Sequence, residues 1–139
     1  MSGSLGHEAV LAMRRRYDHI DLRVPNLSEA RPFYERLLPA LGFTREANIE
    51  GWPQFEAAGA DGATEFFGVT ESPQHVANEC RIAFWADSIN EVDRLAEIAV
   101  RAGARNVEGP MMYEAPHYYA VFFEDPCGNR FEVCYRTTN

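Results

Sequence analysis

Apolar and polar residues alternate strictly from His19 to Val24, with Ile20, Leu22 and Val24 on one face and His19, Asp21 and Arg23 on the other. A period of two marks a strand with one buried face. The rhythm then changes. Phe33, Leu37, Leu38 and Leu41 recur at helical spacing, between a start at Asn26 or Ser28 and a stop at Gly42. Pro32 fits a helix best in its first turn, which favours Ser28 as the cap. Strand patterns follow over 43–50, 52–57 and 63–70, with Gly51, Gly59 and Asp61-Gly62 at the turns. The apolar face of the first strand should pack on the helix, so His19 is expected on the opposite side of the sheet.

The same order of elements then recurs. Arg81 to Ala86 alternates, Ser88 and Glu91 form a capping box, and Val92, Leu95, Ala96, Ala99 and Val100 make an apolar stripe ending at Gly103. Ile82 follows Ile20 by 62 positions and Gly103 follows Gly42 by 61. Such a repeat points to duplicated modules. Strands over 105–108, 118–124 and 130–136 complete the second half, the last two joined by the tight turn Asp125-Pro126-Cys127-Gly128-Asn129. Met111-Met112-Tyr113, between Pro110 and Pro116, reads as a mobile rim or a plain surface connection. Each half is βαβββ, which makes the fold α+β. The first module is expected over about 16–70, a linker over 71–79 and the second module over about 80–136, after a flexible leader at 1–15 in which Met13 offers a second start.

Composition narrows the chemistry. A 139-residue chain suits one domain, and its net charge of -8 disfavours nucleic acid or anionic membrane as a partner. No apolar run reaches the ~18 residues of a membrane span. All 13 basic residues are arginine, so Schiff-base, P-loop and lysine-base chemistry are absent. Three irregularly spaced cysteines, Cys80, Cys127 and Cys134, fit a reducing cytoplasm better than a disulfide framework.

Tyr17-Asp18-His19-Ile20, Phe33-Tyr34-Glu35 and the closing run Phe123 to Val133, with its Asp-Pro-Cys-Gly-Asn turn and Glu132, resemble the vicinal oxygen chelate (VOC) superfamily. That superfamily holds glyoxalase I, extradiol dioxygenases, fosfomycin and bleomycin resistance proteins and methylmalonyl-CoA epimerase. The resemblance spans roughly Arg16 to Arg136. It implies an open eight-stranded cup formed by the two modules, a homodimer, and often a divalent metal. The metal is held by histidines of the first and fifth strands, a glutamate of the eighth and, in glyoxalase-like members, a group from the fourth. His19, Glu65 and Glu132 match three positions, but Arg81 stands at the fifth-strand histidine. A guanidinium stays protonated and has no lone pair for a metal.

Two functions therefore stand side by side. One is a metal-poor protein binding a small organic molecule in the cup. The other is a divalent-metal-dependent lyase or isomerase of glyoxalase type, holding Zn, Ni, Mn or Fe with His19, Glu65 and Glu132. Extradiol ring cleavage ranks behind both, since Arg81 interrupts its two-histidine, one-carboxylate set. His19 and Glu132 could instead form a hydrogen-bonded pair. Arg81 could clamp a ligand carboxylate or phosphate, or pair internally with Glu65 or Glu132. Trp85, Tyr113 and Tyr119 are candidate ligand-binding aromatics, and Glu65 is the candidate general base if it binds no metal.

Overall fold

The computed structural model describes residues 17–49, 52–58 and 64–137. The expected leader lies outside them. The chain runs β1 (His19–Val24), α1 (Leu27–Ala40), β2 (Arg45–Ile49), β3 (Trp52–Ala58), β4 (Thr64–Glu71), β5 (Arg81–Trp85), α2 (Ile89–Ala102), β6 (Arg105–Glu114), β7 (Tyr118–Glu124) and β8 (Arg130–Arg136). Two four-stranded sheets result, ordered β1-β4-β3-β2 and β5-β8-β7-β6. β1–β4 and β5–β8 are the parallel pairs; the others are antiparallel. Each half is βαβββ, and the sheets do not close into a barrel. No helix among the described residues is long and apolar enough to cross a membrane.

Local chemistry explains the helices. The α1 cap is Asn26, not Ser28: the Asn26 side chain accepts from the Glu29 N–H at 3.2 Å, and the Ser28 hydroxyl donates to Asn26 Oδ1 at 2.8 Å. Pro32 thus falls beyond the first turn. The carbonyl that loses its helical donor belongs to exposed Ser28, where solvent can satisfy it. In α2 the Ser88 hydroxyl accepts from the Glu91 N–H at 3.0 Å, and Glu91 Oε1 accepts from the Asp87 N–H at 2.8 Å. Gly103 ends the helix at φ 109°, where a side chain would be strained.

Both helices bury one stripe against the sheets: Ala30, Phe33, Tyr34, Leu37 and Leu38 from α1, and Val92, Leu95, Ala96 and Ala99 from α2. Phe67 of the first sheet meets Phe84 and Phe131 of the second at centroid distances of 6.0 and 6.4 Å, so one core spans both modules. Each such ring contributes roughly 1.5–3 kcal/mol of burial.

The Asp125-to-Asn129 turn does more than join two strands. Asp125, with no solvent exposure, accepts from the N–H groups of Cys127 and Asn129 at 2.9 Å each and from the Tyr34 phenol of α1. Asn129 Nδ2 donates to the Arg23 carbonyl at 3.0 Å, and His75 Nε2 lies 3.0 Å from Asn129 Oδ1. The turn therefore ties β1, α1 and the segment after β4 to the second module.

One expectation is corrected. Met111-Met112-Tyr113 is neither a rim nor a connection but part of β6, which runs to Glu114. Its two prolines suggested a loop. β6 tolerates Pro110 because it is an edge strand, and three register irregularities against β7 absorb the misfit.

Candidate functional site

Each sheet has one face against the helices and one free of them, and alternation decides which side chains stand on the free face. In the first sheet, the register of His19 with Phe66 and of Asp21 with Gly68 sets His19, Asp21 and Arg23 beside Phe66, Gly68 and Thr70. Gln54 and Glu56 join them from β3. The His19 side chain is 57% exposed, with Nδ1 2.9 Å from Asp18 Oδ1. Asp21 Oδ1 accepts from Arg23 Nη1 at 2.6 Å and Thr70 Oγ1 at 3.1 Å. The Trp52 indole covers Gly68, where an added Cβ would stand 2.5 Å from Nε1. That Nε1 is buried without an acceptor among the described residues.

On the second sheet, Arg81, Ala83 and Trp85 of β5 stand level with Arg130, Glu132 and Cys134 of β8; Tyr118, Ala120 and Phe122 follow on β7. The Arg81 guanidinium carbon sits 4.8 Å above the Phe122 ring, a cation–π distance. Tyr113 meets Phe122 edge-on at a centroid distance of 5.2 Å. Glu132 is 7% exposed and accepts a hydrogen bond from the Tyr118 phenol, while Arg136 lies 4.1 Å over the Tyr118 ring. Burial, and then the hydrogen bond to Glu132 and its charge, push the Tyr118 pKa well above 10. The phenol thus keeps its proton at working pH and acts as a donor. Trp85 is 73% exposed.

The candidate residues divide between faces. His19 and Glu132 lie on the free faces of different sheets, and they are not bonded to each other: His19 pairs with Asp18, Glu132 with Tyr118. Glu65 stands opposite Ala57, one position from Phe66, and so falls on the helix side with Phe67 and Val69. There it neighbours the Tyr17 phenol, whose pKa is raised by burial first and then by Glu65. Placing Glu65 in the cup required a register one residue different, and in a strand one residue reverses the face. Tyr119 likewise points to the helix side, where its phenol donates to Asp93 Oδ1 at 2.6 Å. Tyr113 lies beside Phe122, its hydroxyl buried without a partner among the described residues.

The internal pairing expected for Arg81 is not formed: among the described residues no carboxylate lies within ion-pair reach of its guanidinium, neither Glu65 nor Glu132. The metal set does not converge either. Among the described residues no three His, Cys, Asp or Glu side chains group so as to hold an ion. His19, Glu65 and Glu132 of one chain do not fit a divalent metal. Cys127 does not compensate as a nucleophile, because burial and then Asp125 push its thiol up to about 12.

Phe122 and Arg130 join the Arg81 face without having been singled out from the sequence. The signal was present, since Arg130 and Glu132 alternate with the core residues Phe131 and Val133.

Comparison with known proteins gives a consistent picture. A family model described as the Glyoxalase/Bleomycin resistance protein/Dioxygenase superfamily matches residues 16–133. A glyoxalase/bleomycin resistance protein from Albidiferax ferrireducens superposes with a TM-score of 0.69 at 22% identity, covering 87% of this chain and 98% of its own. A genomically encoded fosfomycin resistance protein from Listeria monocytogenes gives 0.67 at 21% identity, covering 88% and 93%. A glyoxalase/bleomycin resistance protein/dioxygenase family enzyme from Burkholderia phytofirmans gives 0.67 at 16% identity, covering 87% and 100%. At these identities the likeness is one of fold. No protein among the curated ones matches this sequence.

Proposed function

The chain belongs to the Glyoxalase/Bleomycin resistance protein/Dioxygenase superfamily, and within it we propose a protein that binds a small organic molecule on the helix-free sheet faces and holds it by an anionic group at Arg81. One observation carries this reading: a guanidinium exposed on the face, seated on Phe122 and unmatched by any carboxylate among the described residues. An oriented arginine of this kind suits a carboxylate or phosphate, which it grips with two parallel N–H bonds. Phe122, Tyr118 and Trp85 supply apolar surface beside it, the usual partner of a few placed polar groups in a ligand site.

Working as a homodimer in the cytoplasm belongs to the same proposal. Arg81 and Trp85 are exposed in the single chain, and a second copy could wall them. Cys80, Cys127 and Cys134 are free thiols, which suits a reducing compartment.

Binding comes first in this account and chemistry second. If a proton is moved, the groups in place are the buried Glu132 carboxylate, as acceptor, and the Tyr118 phenol, as donor. The metal-dependent lyase or isomerase reading ranks second, since Glu65 faces the helices and Arg81 stands where that reading needs a nitrogen ligand.

A thermal-shift screen of small carboxylates, phosphates and uncharged aromatic compounds, run on wild type and Arg81→Ala, tests the proposal. Hits that carry an anion and vanish in the variant support it. Hits unaffected by the substitution refute the role of Arg81. Near-stoichiometric Mn, Fe, Ni or Zn in purified wild type, lost in His19→Ala, would restore the metalloenzyme in its place.

A further inference from the structure

The partner of Arg81 across the β5–β8 ladder is Arg130. Two arginines directly level on adjacent strands repel each other, and folded proteins ordinarily relieve this with a carboxylate nearby. The chain has 21 acidic residues to draw on. Yet among the described residues neither guanidinium has an acidic group within ion-pair reach. The two carboxylates best placed on this face are engaged elsewhere. Glu124, level with Arg130 on β7, accepts from Asn106 Nδ2 at 2.9 Å, and Glu132 accepts from Tyr118. Phe122 holds the Arg81 head over the sheet, and Arg130 is half-buried at the start of β8.

We propose that Arg81 and Arg130 form a two-guanidinium subsite for a doubly charged phosphate-type oxyanion group on the ligand. This rests on the small-molecule reading above and sharpens it. A lone carboxylate needs one arginine, whereas a tetrahedral dianion presents oxygens to two and neutralises both charges. The like-charged pair left without an acid is then explained by what it binds.

The test is titration of the full chain at constant ionic strength, followed by calorimetry and thermal shift. The probes are inorganic phosphate, phenyl phosphate, the monoanion acetate and uncharged phenol, and the chains are wild type, Arg81→Gln, Arg130→Gln and the distant control Arg45→Gln. The proposal predicts that phosphate binds wild type with a dissociation constant on the order of a millimolar. Acetate binds at least tenfold more weakly. Each of Arg81→Gln and Arg130→Gln weakens phosphate at least tenfold, and Arg45→Gln leaves it unchanged. Tighter binding of phenyl phosphate than of phosphate identifies an organic ester as the source; equal binding identifies the free ion. Arg130→Gln also keeps or raises Tm in anion-free buffer, because it removes one of two repelling charges; Arg81→Gln is read by affinity alone, since it also loses the contact with Phe122. A merely structural arginine would lower Tm and leave affinity alone, and that result overturns the proposal. Phosphate no better than acetate overturns it too. In that case acetate binding lost in Arg81→Gln would still leave the small-molecule site standing, and silence from every probe would remove both.

Discussion

Tyr34→Phe is the sharpest probe of how the two modules are joined. It deletes one oxygen and keeps the ring, which packs edge-on to Phe33 at 5.0 Å and against Phe67 and Phe131 at 6.3 and 6.1 Å. What is lost is the donor to Asp125, a carboxylate with no solvent exposure that would then keep only the N–H groups of Cys127 and Asn129, Asn129 Nδ2 and the Cys127 thiol. A hydrogen bond to a charged group is worth about 1.5–3 kcal/mol, and water cannot readily replace the phenol in a site this closed. The expected cost is therefore about 2 kcal/mol. With a urea m-value of roughly 2 kcal/mol per M, the unfolding midpoint should fall by about 1 M with m unchanged. A cycle with Asp125→Asn should show that the two losses are not additive, as expected for groups in contact. A midpoint shift below about 0.2 M, or simple additivity, would refute the claim that this phenol and this carboxylate latch the modules.

Other consequences follow from the same contacts. Tyr34 and Tyr118 both have folded-state pKa values raised above 10, so their contribution is intact below pH 10 and is lost as pH rises toward their folded values; urea midpoints should decline above pH 10, and Tyr34→Phe should decline less steeply. Gly109→Ala should cost roughly 2–4 kcal/mol, because Gly109 has φ 86° and an added Cβ would meet the Ala120 carbonyl at 2.8 Å and the Tyr113 hydroxyl at 3.0 Å; wild-type stability in chemical denaturation would refute that fit. Gly68→Ala should push the Trp52 indole off the sheet and shift its emission to the red, with unchanged emission in a Trp85→Phe background arguing that Trp52 does not lie there.

Much of this fold was written locally. Ser88, Glu91 and Gly103 fix α2 through contacts a few residues apart, and the alternation in β1 correctly turned His19 away from the helix. What failed depended on distance or on phase. Of the two candidate caps, Pro32 favours Ser28 over Asn26, yet Asn26 caps the helix because exposure of Ser28 makes a later proline tolerable. β6 was cut short because an edge strand's tolerance for Pro110 is a property of its neighbours. The face of Glu65 turns on one residue of phase, which the sequence leaves open in a strand where Thr64 to Phe66 are all half-buried. Tyr34 and Asp125 are 91 positions apart, and Arg23 and Asn129 are 106 apart, so no local pattern announced that the Asp-Pro-Cys-Gly-Asn turn is a structural latch. Arg81 was legible as a departure from the family's metal set; its seat on Phe122 and its twin at Arg130 required the register of β5, β8 and β7.

The central claim is that ligand sits on the Arg81 face. Trp85 stands four residues from Arg81 on that same face of β5, and Trp52 stands on the free face of the other sheet. Emission should therefore be followed in Trp52→Phe and Trp85→Phe while the best compound from the anion screen is titrated. A saturable change in the Trp85 signal is expected, lost when Arg81→Ala is added to Trp52→Phe. A compound that raises Tm yet leaves Trp85 emission untouched would show that the ligand binds elsewhere, and the account would be wrong.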